Sequence, residues 1–265
     1  MPWLLRTSGE ILKRFGPALL AVALLAGCGV PAVAVRAVPA GGGGSAAPKA
    51  TTPAETPAIE VFQAALRKTH NATYKYSVSS ALPDKYGKVS GTGVFDLKSK
   101  KLKLDLKYSG GTYPHDLEAV MIGKDAWHKS EYSSRWVHLD MSRLKEYAPE
   151  KMDMTDPVGL ATFTKALKTV RKTGPLSYAG TFDPNPADSE EFLPLGAPSI
   201  RVFSIMGPDS KFTATTDANG FVTVVNATVI ADETVKMTTK FSAHGKPSGI
   251  KKPSRTVEAA DFYYE

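Results

Sequence analysis

One cysteine occurs in the 265 residues, at Cys28, directly after Leu25-Ala26-Gly27. A thiolate is a nucleophile and can be alkylated by a diacylglyceryl group. The small residues Ala26 and Gly27 let a signal peptidase approach the backbone beside it. Upstream, Arg6, Lys13 and Arg14 form a basic n-region, and Phe15 to Gly27 is an uncharged run containing Ala18, Leu19, Leu20, Val22, Leu24 and Leu25. A bilayer-spanning helix needs roughly 20 apolar residues, so this run suits the h-region of a signal peptide better. The pattern is that of a bacterial lipobox. Residues 1–27 are expected to be a lipoprotein signal peptide and Cys28 the lipidated residue. That would anchor the chain to the outer, extracytoplasmic face of the cell membrane. The plainer alternative is an uncleaved signal anchor with a chance cysteine. A lone cysteine at the end of the h-region argues against it.

Other residue patterns point to catalysis less well. Ser142-Arg143-Leu144-Lys145 matches the S-x-x-K of penicillin-interacting enzymes, and Lys172-Thr173-Gly174 matches their K-T-G. The two lie only about thirty residues apart, with no S-D-N between them, and the K-T-G falls at the end of an expected helix. Coincidence is the expectation. The five histidines are His70, His115, His128, His138 and His244. None forms H-E-x-x-H, and no cysteine joins them. His128 and His138 fall in neighbouring strand candidates beside Trp127 and Trp136 and could pair across a hairpin, in a structural or surface role. Asp188, Glu190 and Glu191 form an acidic loop that could hold calcium but reads more simply as solvated. No G-x-S-x-G, P-loop or dinucleotide fingerprint occurs. The chain is expected not to be an enzyme and to use no cofactor or metal.

The formal net charge is +7, and cleavage before Cys28 would remove three cations and Glu10, leaving +5. A basic exported protein has little access to nucleic acid, so anionic lipid headgroups or wall polymers are the expected partners. The lysines could equally serve only solubility. A single cysteine forbids an internal disulfide, so the fold must be held by its core. Gly29 to Thr56 is rich in Ala, Pro, Gly, Ser and Thr, with Gly41-Gly42-Gly43-Gly44-Ser45 at its centre. It cannot bury enough apolar area to order itself and reads as a disordered tether over 28–56. As a random coil it would reach on the order of 30 Å, at about 5–6 Å times the square root of residue number.

The elements that must carry any site begin at residue 57, and 57–265 reads as one domain. Thr56 and Pro57 suit the start of a helix carrying Ile59, Phe62 and Leu66, with Asn71 as its stop. From Thr73 the period becomes two. Tyr74, Tyr76 and Val78 alternate with Lys75 and Ser77, and Leu102, Leu104, Leu106 and Tyr108 alternate with Lys101, Lys103, Asp105 and Lys107. Val89–Phe95, Glu118–Gly123, Ala126–Lys129 and Arg135–Leu139 are further strands. A second helix is expected from Asp156-Pro157, with Leu160, Phe163, Leu167 and Val170 as its stripe and Gly174-Pro175 as its end. Leu176–Asp183, Ser199–Ile205, Lys211–Asp217, Gly220–Ile230 and Thr234–Ser242 follow as strands, with Asn219-Gly220 as a hairpin turn. Pro184 to Pro198 reads as a loop.

The fold class is therefore α+β: a large, mostly antiparallel sheet, polar outside, whose apolar face is covered by two amphipathic helices. A sheet of that width must twist and curl. Two helices are few for so wide a concave side, and the uncovered part would be an apolar cavity. Phe95, Leu104, Leu106, Trp127, Met237 and Phe241 are expected to converge there beneath the helices carrying Phe62, Phe163 and Leu167. Methionines such as Met121, Met141, Met206 and Met237 suit flexible acyl chains, although each also suits ordinary core.

The order of several segments resembles one family. These are Met121-Ile122-Gly123-Lys124-Asp125-Ala126-Trp127, Tyr178-Ala179-Gly180-Thr181-Phe182-Asp183, Thr216-Asp217-Ala218-Asn219-Gly220-Phe221-Val222 and Phe241-Ser242-Ala243-His244-Gly245-Lys246-Pro247. Together with the lipobox and tether, their sequence along the chain resembles the LolA-like envelope lipoproteins, most closely the actinobacterial LppX/LprG-type lipid-binding lipoproteins. The resemblance spans roughly Pro57 to Pro253. It implies an antiparallel half-barrel with helices on its concave face, enclosing a cavity for acyl chains, and no catalytic residues. The acidic insertion Pro184–Pro198 departs from the family. The expected partners are then the membrane, through lipidated Cys28, and a lipid or glycolipid ligand, with the protein a monomer. The alternative is a cell-envelope interaction or scaffold module with a fully packed interior.

Overall fold

Tyr74, Tyr76, Val78 and Ser80 are buried while Lys75, Ser79 and Ala81 are exposed, so one strand already separates a dry face from a wet one. The computed structural model describes residues 56–81, 87–110, 114–129, 135–145, 148, 154–184, 210–230 and 234–265. The chain divides into two units, 1–52 and 53–265, and every described residue lies in the second. Cys28, Ser199–Ile205 and the acidic residues Asp188, Glu190 and Glu191 lie outside the described residues.

The elements run in the order α1 (Ala58–His70), β1 (Tyr74–Ala81), β2 (Lys88–Asp96), β3 (Lys101–Ser109), β4 (His115–Ile122), β5 (Asp125–Lys129), β6 (Trp136–Asp140), α2 (Leu160–Ala166), β7 (Leu167–Gly174), β8 (Ser177–Phe182), β9 (Ser210–Thr216), β10 (Val222–Ile230), β11 (Thr234–Ser242) and β12 (Thr256–Glu258), with a final 3-10 turn over Asp261–Tyr263. Among the described residues the strands form one 12-stranded sheet in the order β12-β6-β5-β4-β3-β2-β1-β11-β10-β9-β8-β7. All pairs are antiparallel except β12 with β6. Its two ends, β12 and β7, do not close on each other. The fold is an α+β half-barrel: an open, curled, mostly antiparallel sheet with two helices.

Register sets which residues share the inner face. Phe241 lies opposite Tyr76, which lies opposite Gly93, then Leu104, Ala119 and His128. The adjacent row of outward positions includes Val94, Lys103, Val120 and Trp127. Tight turns hold the register. At the β9–β10 hairpin, Gly220 has φ +76°, and the Asp217 carboxylate accepts from the backbone N–H groups of Asn219 and Phe221, both at 2.9 Å.

α1 buries Phe62, Ala65, Leu66 and Thr69 as one stripe. Thr69 ties it to the sheet: its hydroxyl donates to the Ala65 carbonyl at 2.9 Å and accepts from the Val222 N–H at 2.8 Å. α2 differs from expectation. It ends at Ala166, and Leu167–Gly174 forms the edge strand β7 against β8. Leu160, Phe163, Leu167 and Val170 fit a helical stripe, but the β-branched Thr169, Val170 and Thr173 favour a strand. Thr169 and Val170 then pair with Thr181 and Gly180 of β8, and Thr173 falls at a register shift. Leu167 is thus the first residue of a strand, and Lys172-Thr173-Gly174 ends a strand, not a helix. Asp156 acts as a cap from a distance. Its carboxylate accepts from the N–H groups of Ala161 at 3.0 Å and Thr162 at 2.8 Å, while Gly159 occupies the cap position itself.

Candidate functional site

The inner face of the sheet is lined by one continuous buried apolar cluster. Phe62, Phe95, Leu104, Leu106, Phe163, Leu167, Met237 and Phe241 all belong to it. Alternation along β2, β3 and β11 puts Phe95, Leu104, Leu106, Met237 and Phe241 on one side of the sheet. The helices dock through rings. Phe62 stacks on Tyr178 at 4.9 Å and on Phe212 at 5.4 Å, and Phe163 meets Phe182 edge-on at 5.2 Å. Each such large side chain stabilises the fold by roughly 1.5–3 kcal/mol through burial. Further along the same face, the Tyr74 ring meets Phe241 at 5.5 Å and Phe95 at 5.7 Å, both edge-on. The connection between β6 and α2 adds Met141, Leu144 and Val158 to the cluster.

Trp127 does not join them. It is 4% exposed, but it packs with Val120 and Ile250 in a separate cluster on the outer face. Ala126 holds the inward position on β5, so its neighbour must point the other way. The segment after β11 crosses that outer face. It brings Ile250 onto Trp127 and places the Lys252 ammonium 5.6 Å from the indole ring.

The two histidines of β5 and β6 also separate. His128 lies opposite Val137, and His138 lies opposite Trp127, so they occupy opposite faces and do not pair. His138 stacks on Trp127 at 5.1 Å. Its Nε2 is 2.8 Å from Asp125 Oδ1 and its Nδ1 is 2.8 Å from Glu258 Oε2. Burial alone would lower its pKa, but the hydrogen bonds and charges of the two carboxylates prevail and raise it. On the inner face, burial lowers the His128 pKa to about 4. Ser142 sits on an exposed turn with its hydroxyl donating to Asp140 at 2.5 Å, while Lys172 lies on β7 at the far end of the sheet order. These two motifs are not brought together by sheet neighbourhood. Among the described residues no group of three or more His, Cys, Asp or Glu is arranged to hold a metal ion.

Polar groups on the inner face escaped the sequence reading. Among the described residues, the hydroxyls of Tyr74 and Tyr76, Ser80 Oγ and His128 Nε2 are buried and find no hydrogen-bond partner. Burial raises the pKa of both tyrosines. The available signal was Tyr-x-Tyr on the dry face of an alternating strand, where phenylalanine would serve packing alone. Near the Tyr74 ring, Asp156 approaches His70 Nδ1 at 3.6 Å. Burial raises the Asp156 pKa, against the hydrogen bonds from Ala161 and Thr162 and the charge of His70.

Several solved structures are similar to this chain. LprF from Mycobacterium bovis matches over 74% of this chain and 96% of that one, at 12% identity and a TM-score of 0.44. Lipoprotein LppX from Mycobacterium tuberculosis matches over 72% of this chain and 99% of that one, at 13% identity and a TM-score of 0.41. A LolA superfamily protein from Nitrosomonas europaea matches over 80% of this chain and 98% of that one, at 9% identity and a TM-score of 0.27. No protein-family model matches the chain, and no curated protein sequence matches it.

Proposed function

We propose that the protein is a membrane-anchored extracytoplasmic lipoprotein that binds or carries an amphiphile in the half-barrel. The ligand is a lipid, a glycolipid or an acyl chain. One observation carries this reading: a single apolar face runs across the inner side of the sheet, and the ring stacking of the helices concentrates on β8 and β9. From the described part of the β6–α2 connection, Met141, Leu144 and Val158 join the same cluster. Phe62, Phe95, Leu104, Leu106, Phe163, Leu167, Met237 and Phe241 are the proposed lining, and Trp127 is not part of it. Anchoring by Cys28 rests on the sequence, with two acyl chains sufficient for stable attachment. The protein is read as a monomeric binder, not an enzyme.

A second reading has its own support. Phe95, Leu102 and Leu106 are 0% exposed, which favours an envelope interaction module with a packed interior. Chloroform–methanol extraction of the purified protein, followed by mass spectrometry, separates the two. Stoichiometric lipid supports the binder. Its absence, together with failure to take up offered diacyl lipid, supports the packed module.

A further inference from the structure

Tyr74 and Tyr76 lie two residues apart on β1, 1% and 3% exposed, and neither hydroxyl has a partner among the described residues. Ser80, 3% exposed and further along the same face, repeats the pattern. An apolar core has no use for such groups, because leaving a hydroxyl unpaired away from water is costly. Phenylalanine would fill the same space without that cost.

Both rings are held firmly. Tyr74 is fixed edge-on between Phe95 and Phe241. Tyr76 lies across Gly93 on β2: a Cβ added at Gly93 would sit 2.2 Å from its ring. Only glycine leaves room for that approach. The two tyrosine rings meet edge-on at 6.3 Å. Burial keeps both phenols protonated, so each has a proton to donate.

We propose that Tyr74 and Tyr76 form a polar subsite within the apolar interior, donating hydrogen bonds to the carbonyl oxygens of an ester-linked acyl ligand. This rests on the reading of the interior as an amphiphile site, and it adds the ligand's chemical class. Acyl chains meet the surrounding phenylalanines and leucines, while the ester carbonyls accept from the two phenols. A ligand lacking carbonyl groups would leave both donors unpaired, which is the arrangement that discriminates most strongly between similar ligands.

The test compares dioleoylglycerol with its diether analogue, which has the same chains but no carbonyls. Binding of each is measured to the wild-type protein, Tyr74→Phe, Tyr76→Phe and the double variant, alongside the unfolding midpoint of each ligand-free protein. A neutral hydrogen bond corresponds to about fivefold in affinity. The wild type should therefore prefer the ester by about tenfold or more. Each single substitution should lose about fivefold for the ester alone, and the double variant should bind ester and ether alike. Midpoints of the ligand-free variants should hold or rise. If ester preference survives in the double variant, or the ligand-free variants lose stability, the hydroxyls serve the folded core and the subsite is wrong. Equal wild-type binding of both lipids also overturns the subsite while leaving the lipid-binding reading intact. Binding of neither lipid overturns both.

Discussion

His128 should make the protein acid-sensitive. Its Nε2 is sealed on the inner face without a partner, and burial lowers its pKa from 6.5 to about 4. The folded state therefore resists a proton that the unfolded chain accepts near pH 6.5. Stability from keeping His128 neutral is full above that pH and falls as the pH drops towards the folded-state value of about 4. Linkage gives a loss of about 2 kcal/mol between pH 7 and pH 5, rising to about 3 kcal/mol near pH 4. Part of the residue still reaches solvent, so these are upper values. For a domain of this size, about 2 kcal/mol corresponds to a Tm shift of roughly 4–8 °C. Other groups titrate in the same range, so the comparison is with His128→Leu, which removes this group alone. Denaturant midpoints would be measured for both proteins at pH 7, 6, 5 and 4. The variant should match the wild type at pH 7 and exceed it increasingly below pH 6. Parallel pH profiles for the two proteins would mean that His128 is hydrated or paired when folded, and the reasoning would fail.

His138 should act with the opposite sign. Its pKa is raised by Glu258 and Asp125 against the lowering by burial, so its contribution is present below about pH 6.5 and disappears as the pH rises through the folded-state value. The midpoint difference between wild type and His138→Gln should be largest in mild acid and shrink towards alkaline pH. Gly93→Ala should cost about 1–3 kcal/mol by overpacking against the Tyr76 ring. Combining it with Tyr76→Ala should cost less than the sum of the single changes, as a double-mutant cycle in denaturant would read out. Cys28→Ala should release the chain from membranes or block signal processing. A processed Cys28→Ala protein that still sediments with membranes would contradict the lipobox reading.

Much of the fold was legible because strand alternation is local. Tyr74-Lys75-Tyr76, Leu102 to Tyr108 and Val235 to Phe241 each announce a buried face within a few residues, and all three face inward as expected. The α2–β7 boundary was not legible, because Leu160, Phe163, Leu167 and Val170 satisfy a helical stripe and pairing with β8 decides otherwise. Asp156-Pro157 suits an N-cap and first helical residue, but the cap position is Gly159 and the helix begins at Leu160. The Asp156 carboxylate instead reaches the N–H groups of Ala161 and Thr162 from outside the helix. Trp127 was misplaced because a buried tryptophan normally means the inner face. Here the outer face is also covered, by Ile250 from a distant part of the chain. β12 has three residues and pairs in parallel with β6, a contact with no local signature. The unpartnered phenols were visible only as residue types. Their isolation depends on neighbours from several strands.

The central claim is that the half-barrel holds an amphiphile, and native mass spectrometry of the protein purified from membranes without added lipid tests it most directly. The account predicts a wild-type mass increased by one bound diacyl lipid, beyond any acyl groups on Cys28. It also predicts loss of that increment in Leu106→Trp, where the larger ring occupies the inner face. A wild-type protein that carries no such increment, and gains none when offered dioleoylglycerol, would contradict it.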